Sequence, residues 1–161
     1  MRRFASVTES RARFAEEKTV AALAQPVRSE GWLVYRRPAH LEKVTTGPLA
    51  ESLMVDGDRL SVMIEGQPPR LIDLAAEPAL AALVEAVRGT LAGDLPALRR
   101  SYVVSMQGDV AGWRLVLTPA GPPLTDMLRQ VVVEGAGTAL SRVAIEQANG
   151  DRSVMTISSA A

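Results

Sequence analysis

The feature that most constrains this fold is a succession of short extended segments separated by turn residues. Asp56-Gly57 and Asn149-Gly150 favour two-residue hairpins, because such turns need a positive φ. Between the breaks, aliphatic and β-branched residues favour strands. Strands are predicted over residues 32–35, 41–46, 52–55, 60–64, 70–74, 102–106, 113–117, 128–133, 140–146 and 153–157. The pattern predicts an antiparallel meander, which curls or closes once it exceeds about six strands.

One segment in the middle of the chain has helical periodicity. Pro78 suits a first turn, and apolar residues then recur at helical spacing, at Leu80, Leu83, Val84, Val87 and Leu91. A helix over 78–88 and a shorter one over 95–100 are therefore predicted. The start of the chain is ambiguous, because residues 6–25 are rich in helix-forming Ala, Glu and Arg. Pattern alone predicts one helix there, ending before Pro26.

Composition excludes several classes of function. The 161 residues suit a single domain over 1–161, and eighteen basic residues balance eighteen acidic ones, so nothing favours nucleic acid as a partner. Without cysteine and with His40 as the one histidine, thiolate and multi-histidine metal sites are impossible, and no cofactor is expected. No signal peptide is recognisable after Met1, which predicts either a cytoplasmic chain or a processed mature form.

Motifs for catalysis are weak. His40 could act as a general base only beside a nucleophile, and Ser29, Thr45 and Thr46 do not lie in a nucleophile-elbow context. Residues 56–58, Asp-Gly-Asp, lack the remaining acidic positions of a calcium loop. Residues 135–137, Gly-Ala-Gly, lack the third glycine of a dinucleotide fingerprint. The sequence therefore predicts that the chain is not an enzyme, and no residue is assigned a catalytic or metal-binding role.

The order of motifs resembles the bacterial outer-membrane lipoprotein carriers, LolA and its relatives. The likeness spans residues 14–157 and rests on FAEEK at 14–18, GWLVYRRP at 31–38, VDGDRL at 55–60, WRLVLTP at 113–119 and NGDRS at 149–153. It resembles a divergent member, because Leu-Glu-Lys at 41–43 and Ser-Val-Met at 61–63 stand where relatives carry aromatics.

The resemblance implies an incomplete, strongly curved antiparallel β-barrel of ten or eleven strands with a helical lid, the helix 78–88 lying on the concave side. For the start of the chain, where pattern alone predicts one helix, the resemblance instead implies a short helix up to about Ser10 followed by a strand over 13–22. It further implies a monomeric periplasmic carrier, its signal peptide removed. The implied partners are an acylated lipoprotein or (glyco)lipid cargo, an inner-membrane exporter and an outer-membrane acceptor.

Strand alternation and the resemblance together predict a ligand-binding lining on the concave side, with Trp32 on the opposite face. Its residues are Leu33, Tyr35, Arg37, Leu53, Val55, Leu60 and Val62. Arg37 matches the arginine before proline that holds the lid helices in the family, which predicts a gate that hydrogen-bonds helix carbonyls. From the residues alone, these apolar positions also fit a filled core. A hydrolase and a structural subunit of an envelope lipid or glycolipid system therefore remain alternatives.

Overall fold

A computed structural model describes residues 9–20, 24–36, 40–92, 94–122, 124–137 and 139–159. Its main element is one sheet of eleven antiparallel strands, in the order β6-β5-β4-β3-β2-β1-β11-β10-β9-β8-β7. The strands are β1 (Glu9–Thr19), β2 (Val27–Arg36), β3 (His40–Gly47), β4 (Glu51–Asp56), β5 (Arg59–Ile64), β6 (Arg70–Asp73), β7 (Tyr102–Asp109), β8 (Gly112–Pro119), β9 (Leu128–Ala136), β10 (Ala139–Gln147) and β11 (Arg152–Ser159). The predicted mainly β meander with an inserted helix is confirmed.

The insertion between β6 and β7 contains the helices α1 (Pro78–Ala92) and α2 (Leu95–Arg99). Short 3₁₀ turns lie at Leu74–Ala76 and Leu124–Asp126. Asp94 caps α2, because its side chain accepts a hydrogen bond from the backbone N–H of Ala97 at 3.1 Å. The helix predicted over 78–88 is correct in position but continues to Ala92.

The start of the chain is a strand, as the resemblance implied and against the helical propensity of its residues. β1 pairs with β2 on one side and with β11 on the other, so its backbone groups are satisfied in the middle of the sheet. Its limits differ from the expectation of a helix up to Ser10 and a strand over 13–22. Glu9 and Ser10 already belong to the strand, and the strand ends at Thr19. Residues 1–8 lie outside the described part of the chain.

The sheet is wrapped around α1. Tyr102 at the start of β7 donates a hydrogen bond to the carbonyl of Ala82 at 2.6 Å, and Arg88 Nη1 donates to the carbonyl of Gly57 in the β4–β5 turn, also at 2.6 Å. In a flat sheet, eight strand spacings from β4 to β7 would span about 38 Å. Since a helix is only about 10 Å across, contacts on both sides require a strongly curved sheet. β6 and β7 are its two edge strands, so the barrel is open.

Tight backbone approaches accompany this curvature. At Gly31 in β2, an added Cβ would lie 1.8 Å from the carbonyl oxygen of Val44 in β3. The register between the two strands also shifts beside Gly31. A residue with a side chain would push the strands apart, so glycine permits the bend at this position.

Candidate functional site

The two clusters of buried apolar side chains lie on the face of the sheet that contacts α1, called here the inner face. On one side, Phe14, Leu33 and Tyr35 share a buried cluster with Ala82 and Ala86 of α1. The cluster continues through strands β7 to β11, with Tyr102, Trp113, Leu115, Leu117, Leu128, Val131, Val133, Val143 and Ile157. This is the main core, and α1 is part of it.

A second, smaller buried cluster lies under the β4–β5 hairpin. Its buried members are Val55, Leu60 and Leu74. Partly buried aliphatic side chains pack against it, from the strands and from α1: Leu41, Leu53, Val62, Ile72, Leu80, Ala81 and Val84. The inner face is therefore tightly filled in the main cluster and less completely covered at this hairpin.

The predicted lining residues divide between the two clusters. Leu33 and Tyr35 are buried in the main cluster, and Val55 and Leu60 are buried in the hairpin cluster. Leu53 and Val62 remain half-buried and lie directly opposite each other on β4 and β5. The predicted face assignment therefore agrees with the structure for these residues. Contact with a ligand stays a prediction, and Arg37 with its gating role lies outside the described residues.

The opposite, outer face carries charged side chains together with apolar ones such as Val34 and Val132, and Trp32 lies on it as predicted. The guanidinium carbon of Arg13 lies 4.6 Å from the centroid of the Trp32 ring, a cation–π arrangement. A cleft of about 920 Å³ also opens on this side, beside β1, β2, β10 and β11. Arg28, Glu17, Arg142 and Arg152 contribute to its wall. Ala15, Pro48 and Val154 line it as well, but an acyl chain bound there would remove the charged groups from water, so size alone does not make the cleft the candidate site.

His40 does not approach a nucleophile. Its Nε2 lies 3.5 Å from Glu42 Oε2, and its Nδ1 lies 3.9 Å from Asp56 Oδ2. Alternation along β3 places Thr45 on the opposite face from His40, and Thr46 lies six positions further along the strand than His40. The imidazole therefore has carboxylate neighbours and lacks the geometry for activating a hydroxyl. Within the described ranges, no group of three or more His, Asp and Glu residues could hold a metal ion.

The contacts of α1 include two polar residues that sequence analysis missed. Arg88 joins α1 to Gly57, and within α1 its Nη2 lies 3.0 Å from Glu85 Oε2. The phenol of Tyr102 is buried, and its pKa is raised well above the usual value, by desolvation first and by the negative charge of Glu85 second. The contacts of Arg88 with Gly57 and of Tyr102 with Ala82 join residues far apart in the sequence, so no local pattern indicated them.

An ion pair on the inner face was missed as well. Glu16 of β1 and Lys43 of β3 meet across β2, with Nζ 3.1 Å from both carboxylate oxygens. Strand alternation could have placed Glu16 on the inner face, because it follows the buried Phe14 by two residues and so shares its face.

Comparison with known proteins identifies the family. The sequence profile described as "Outer membrane lipoprotein carrier protein LolA-like" matches residues 1–161. This chain belongs to the LolA-like family. A crystal structure of a LolA superfamily protein from Nitrosomonas europaea aligns with 94% of this LolA-like chain and 84% of that chain, at 13% sequence identity and a TM-score of 0.48. No curated protein sequence matches the chain.

Family membership and the described geometry agree on the architecture. The LolA-like chain has an open, curved antiparallel sheet with α1 against its inner face. No helix in the described part of the chain is long and apolar enough to span a membrane. Family and fold together suggest a carrier of lipid or lipoprotein. The inner face, with its two apolar clusters, is therefore the candidate binding surface of this LolA-like protein.

Proposed function

We propose that this chain is a periplasmic carrier that binds the acyl chains of a lipoprotein or lipid on its inner face and moves them toward the outer membrane. The observation that carries the proposal is the aliphatic surface at the hairpin cluster, where Leu53 and Val62 stay half-buried between the sheet and α1. Each CH₂ group transferred from water to such a surface contributes about 0.8 kcal/mol. A carrier needs this apolar area and no catalytic group.

The binding surface would extend from the hairpin cluster toward the main cluster. Leu33, Tyr35, Val55 and Leu60 form its floor in this proposal, because they are already buried on the inner face. Leu53 and Val62 meet the cargo first, because part of each side chain is still accessible. Displacement of α1 would then expose further aliphatic area, since Leu80 and Val84 pack against the same cluster.

Native mass spectrometry of the protein expressed in bacteria tests the proposal. Co-purifying acyl species, lost after gentle delipidation and regained from added lipid, are the expected result. A folded protein that takes up no lipid would instead favour a structural subunit of an envelope lipid system. Turnover of acyl esters that disappears in His40→Ala would favour a hydrolase. Either result would contradict the carrier proposal.

A matched pair of variants tests the location of binding. Leu53 and Met54 are neighbours on β4 with side chains on opposite faces, and Met54 is 38% exposed on the outer face. Leu53→Asn is expected to lower lipid occupancy several-fold, because it places an amide on the proposed acyl surface. Met54→Asn is expected to leave occupancy unchanged. Equal occupancy in the two variants would contradict the inner-face assignment.

Arg37 keeps its predicted role as a gate within this proposal. An arginine that hydrogen-bonds helix carbonyls would close the lid over an empty surface, and cargo would compete with that closure. Arg37→Leu is expected to let cargo enter and to slow its release. Transfer of a fluorescent acyl cargo to acceptor vesicles measures release, and unchanged transfer by the folded variant would remove the gating role.

A further inference from the structure

A compact group of charged and hydroxyl side chains lies on the inner face. Lys43 Nζ lies 3.1 Å from both Glu16 Oε1 and Glu16 Oε2, and Ser153 Oγ donates to Glu16 Oε2 at 2.8 Å. These residues come from β3, β1 and β11, and they meet near the middle of the eleven-strand order. We refer to Glu16, Lys43 and Ser153 as the inner polar group.

The inner polar group adjoins the surface assigned to acyl chains. Lys43 lies directly opposite Leu33 on β2 and Leu53 on β4. Its Nζ reaches over β2 to the Phe14 ring, 5.3 Å from the ring centroid. Gly31 faces Phe14 across the strand pair and has no side chain to obstruct that path. A lipid whose chain lies along Leu33 and Leu53 would therefore have its polar end within reach of the group.

The inner polar group is accessible and has unused hydrogen-bonding capacity. The Glu16 and Lys43 side chains are 16% and 25% exposed, so both are reachable from solvent. An ammonium has three donor protons, and the described contacts to Glu16 account for two of them. A carboxylate has about four acceptor positions, and the contacts with Lys43 and Ser153 account for three.

Stability is a poor reason for this ion pair. Removing two charges from water offsets most of their attraction, so a partly buried pair adds little net stability. β1, β2 and β3 are already joined by backbone hydrogen bonds along their length. The ion pair between Glu17 and Arg28 on the outer face serves as a comparison for Glu16 and Lys43. Its side chains are 50% and 78% exposed, so both charges stay hydrated.

We propose that Glu16 and Lys43 bind the zwitterionic head group of a lipid whose acyl chain lies on the inner face. The phosphate accepts from Lys43, and the ammonium donates to Glu16. A zwitterion is favoured because the pair is itself neutral: a head group with a single charge is attracted by one member and repelled at similar distance by the other. This inference rests on the proposed carrier function and specifies the chemistry of its ligand.

The test compares three lipids with the same oleoyl chain: lysophosphatidylethanolamine, lysophosphatidylglycerol and monooleoylglycerol. The Kd of each for the full chain is measured below its micelle concentration by isothermal titration calorimetry. The wild-type protein is expected to bind the zwitterionic lipid about tenfold more tightly than the other two, equivalent to about 1.4 kcal/mol. Glu16→Gln and Lys43→Gln should each remove that preference, whereas the controls Glu17→Gln and Arg28→Gln should keep it.

The outcomes distinguish a failure of the head-group site from a failure of the carrier function. Equal Kd values for the three lipids, or a preference that survives in Glu16→Gln and Lys43→Gln, would overturn the head-group site and leave the carrier function standing. Failure of all three lipids to bind would overturn both. If a single variant loses the folded signal in circular dichroism, the double variant Glu16→Gln/Lys43→Gln decides, because facing amides leave no unpaired charge.

Discussion

The hydrogen bond between Tyr102 and α1 provides a direct test of how the sheet is closed around the helix. Tyr102 is 2% exposed, and its hydroxyl donates to the carbonyl of Ala82 at 2.6 Å. Tyr102→Phe removes this bond while keeping the ring in the core. A hydrogen bond of this kind contributes about 1 kcal/mol, which corresponds to a decrease in Tm of about 2–4 °C in a domain of this size.

The pH dependence of stability gives the same contact a distinctive signature. Burial raises the pKa of the Tyr102 phenol above its value in the unfolded chain, and the charge of Glu85 raises it further. The neutral phenol is therefore favoured by folding. Its stabilising effect is complete below the unfolded pKa of about 10 and is lost progressively as the pH rises from there toward the folded pKa. Tyr102→Phe is expected to lose this alkaline decline.

Urea unfolding at pH 7, 9, 10 and 11, followed by circular dichroism, measures both effects. The free energy of unfolding of the wild type should decrease more steeply above about pH 10 than that of Tyr102→Phe, so the difference between them narrows. The argument that the phenol is buried against α1 would be refuted by two results together. The wild type and the variant would be equally stable at pH 7, and their free energies of unfolding would follow parallel curves up to pH 11.

Four further substitutions test the packing and the capping of α2. Gly31→Ala is expected to destabilise the fold by about 3 kcal/mol, because its Cβ would lie 1.8 Å from the Val44 carbonyl oxygen; retention of the wild-type urea midpoint would contradict the close approach. Leu115→Ala should cost about 2–5 kcal/mol at a fully buried position, whereas Met63→Ala, at a residue 55% exposed, should stay within about 0.5 kcal/mol. Asp94→Ala removes the cap of α2 and should lower the free energy of unfolding by about 1 kcal/mol, with the helical signal at 222 nm as an additional readout; no change would show that the cap is dispensable.

The hairpins could be predicted because their signals are local. Gly57 and Gly150 adopt positive φ angles of 60° and 94° at the turns expected from Asp56-Gly57 and Asn149-Gly150. Alternation along β2 also separated Leu33 and Tyr35 from Trp32 without any knowledge of the tertiary structure. The resemblance then assigned the first set to the concave side.

Tertiary structure decided the parts that depend on distant strands. Residues of β1 have helical propensity, but pairing with β2 and β11 makes them a strand, because two ladders of backbone hydrogen bonds outweigh a weak local preference. The limits of that strand were consequently mispredicted.

The sequence by itself therefore determined the strand and turn pattern, the inserted helix and the division of β2 residues between its two faces, since all of these follow from neighbours in the chain. Only the folded sheet brings Glu16 to Lys43 and Ser153, which are separated by 27 and 137 residues respectively. Such contacts follow from sheet order and curvature, and these depend on how the whole chain buries its apolar surface around α1.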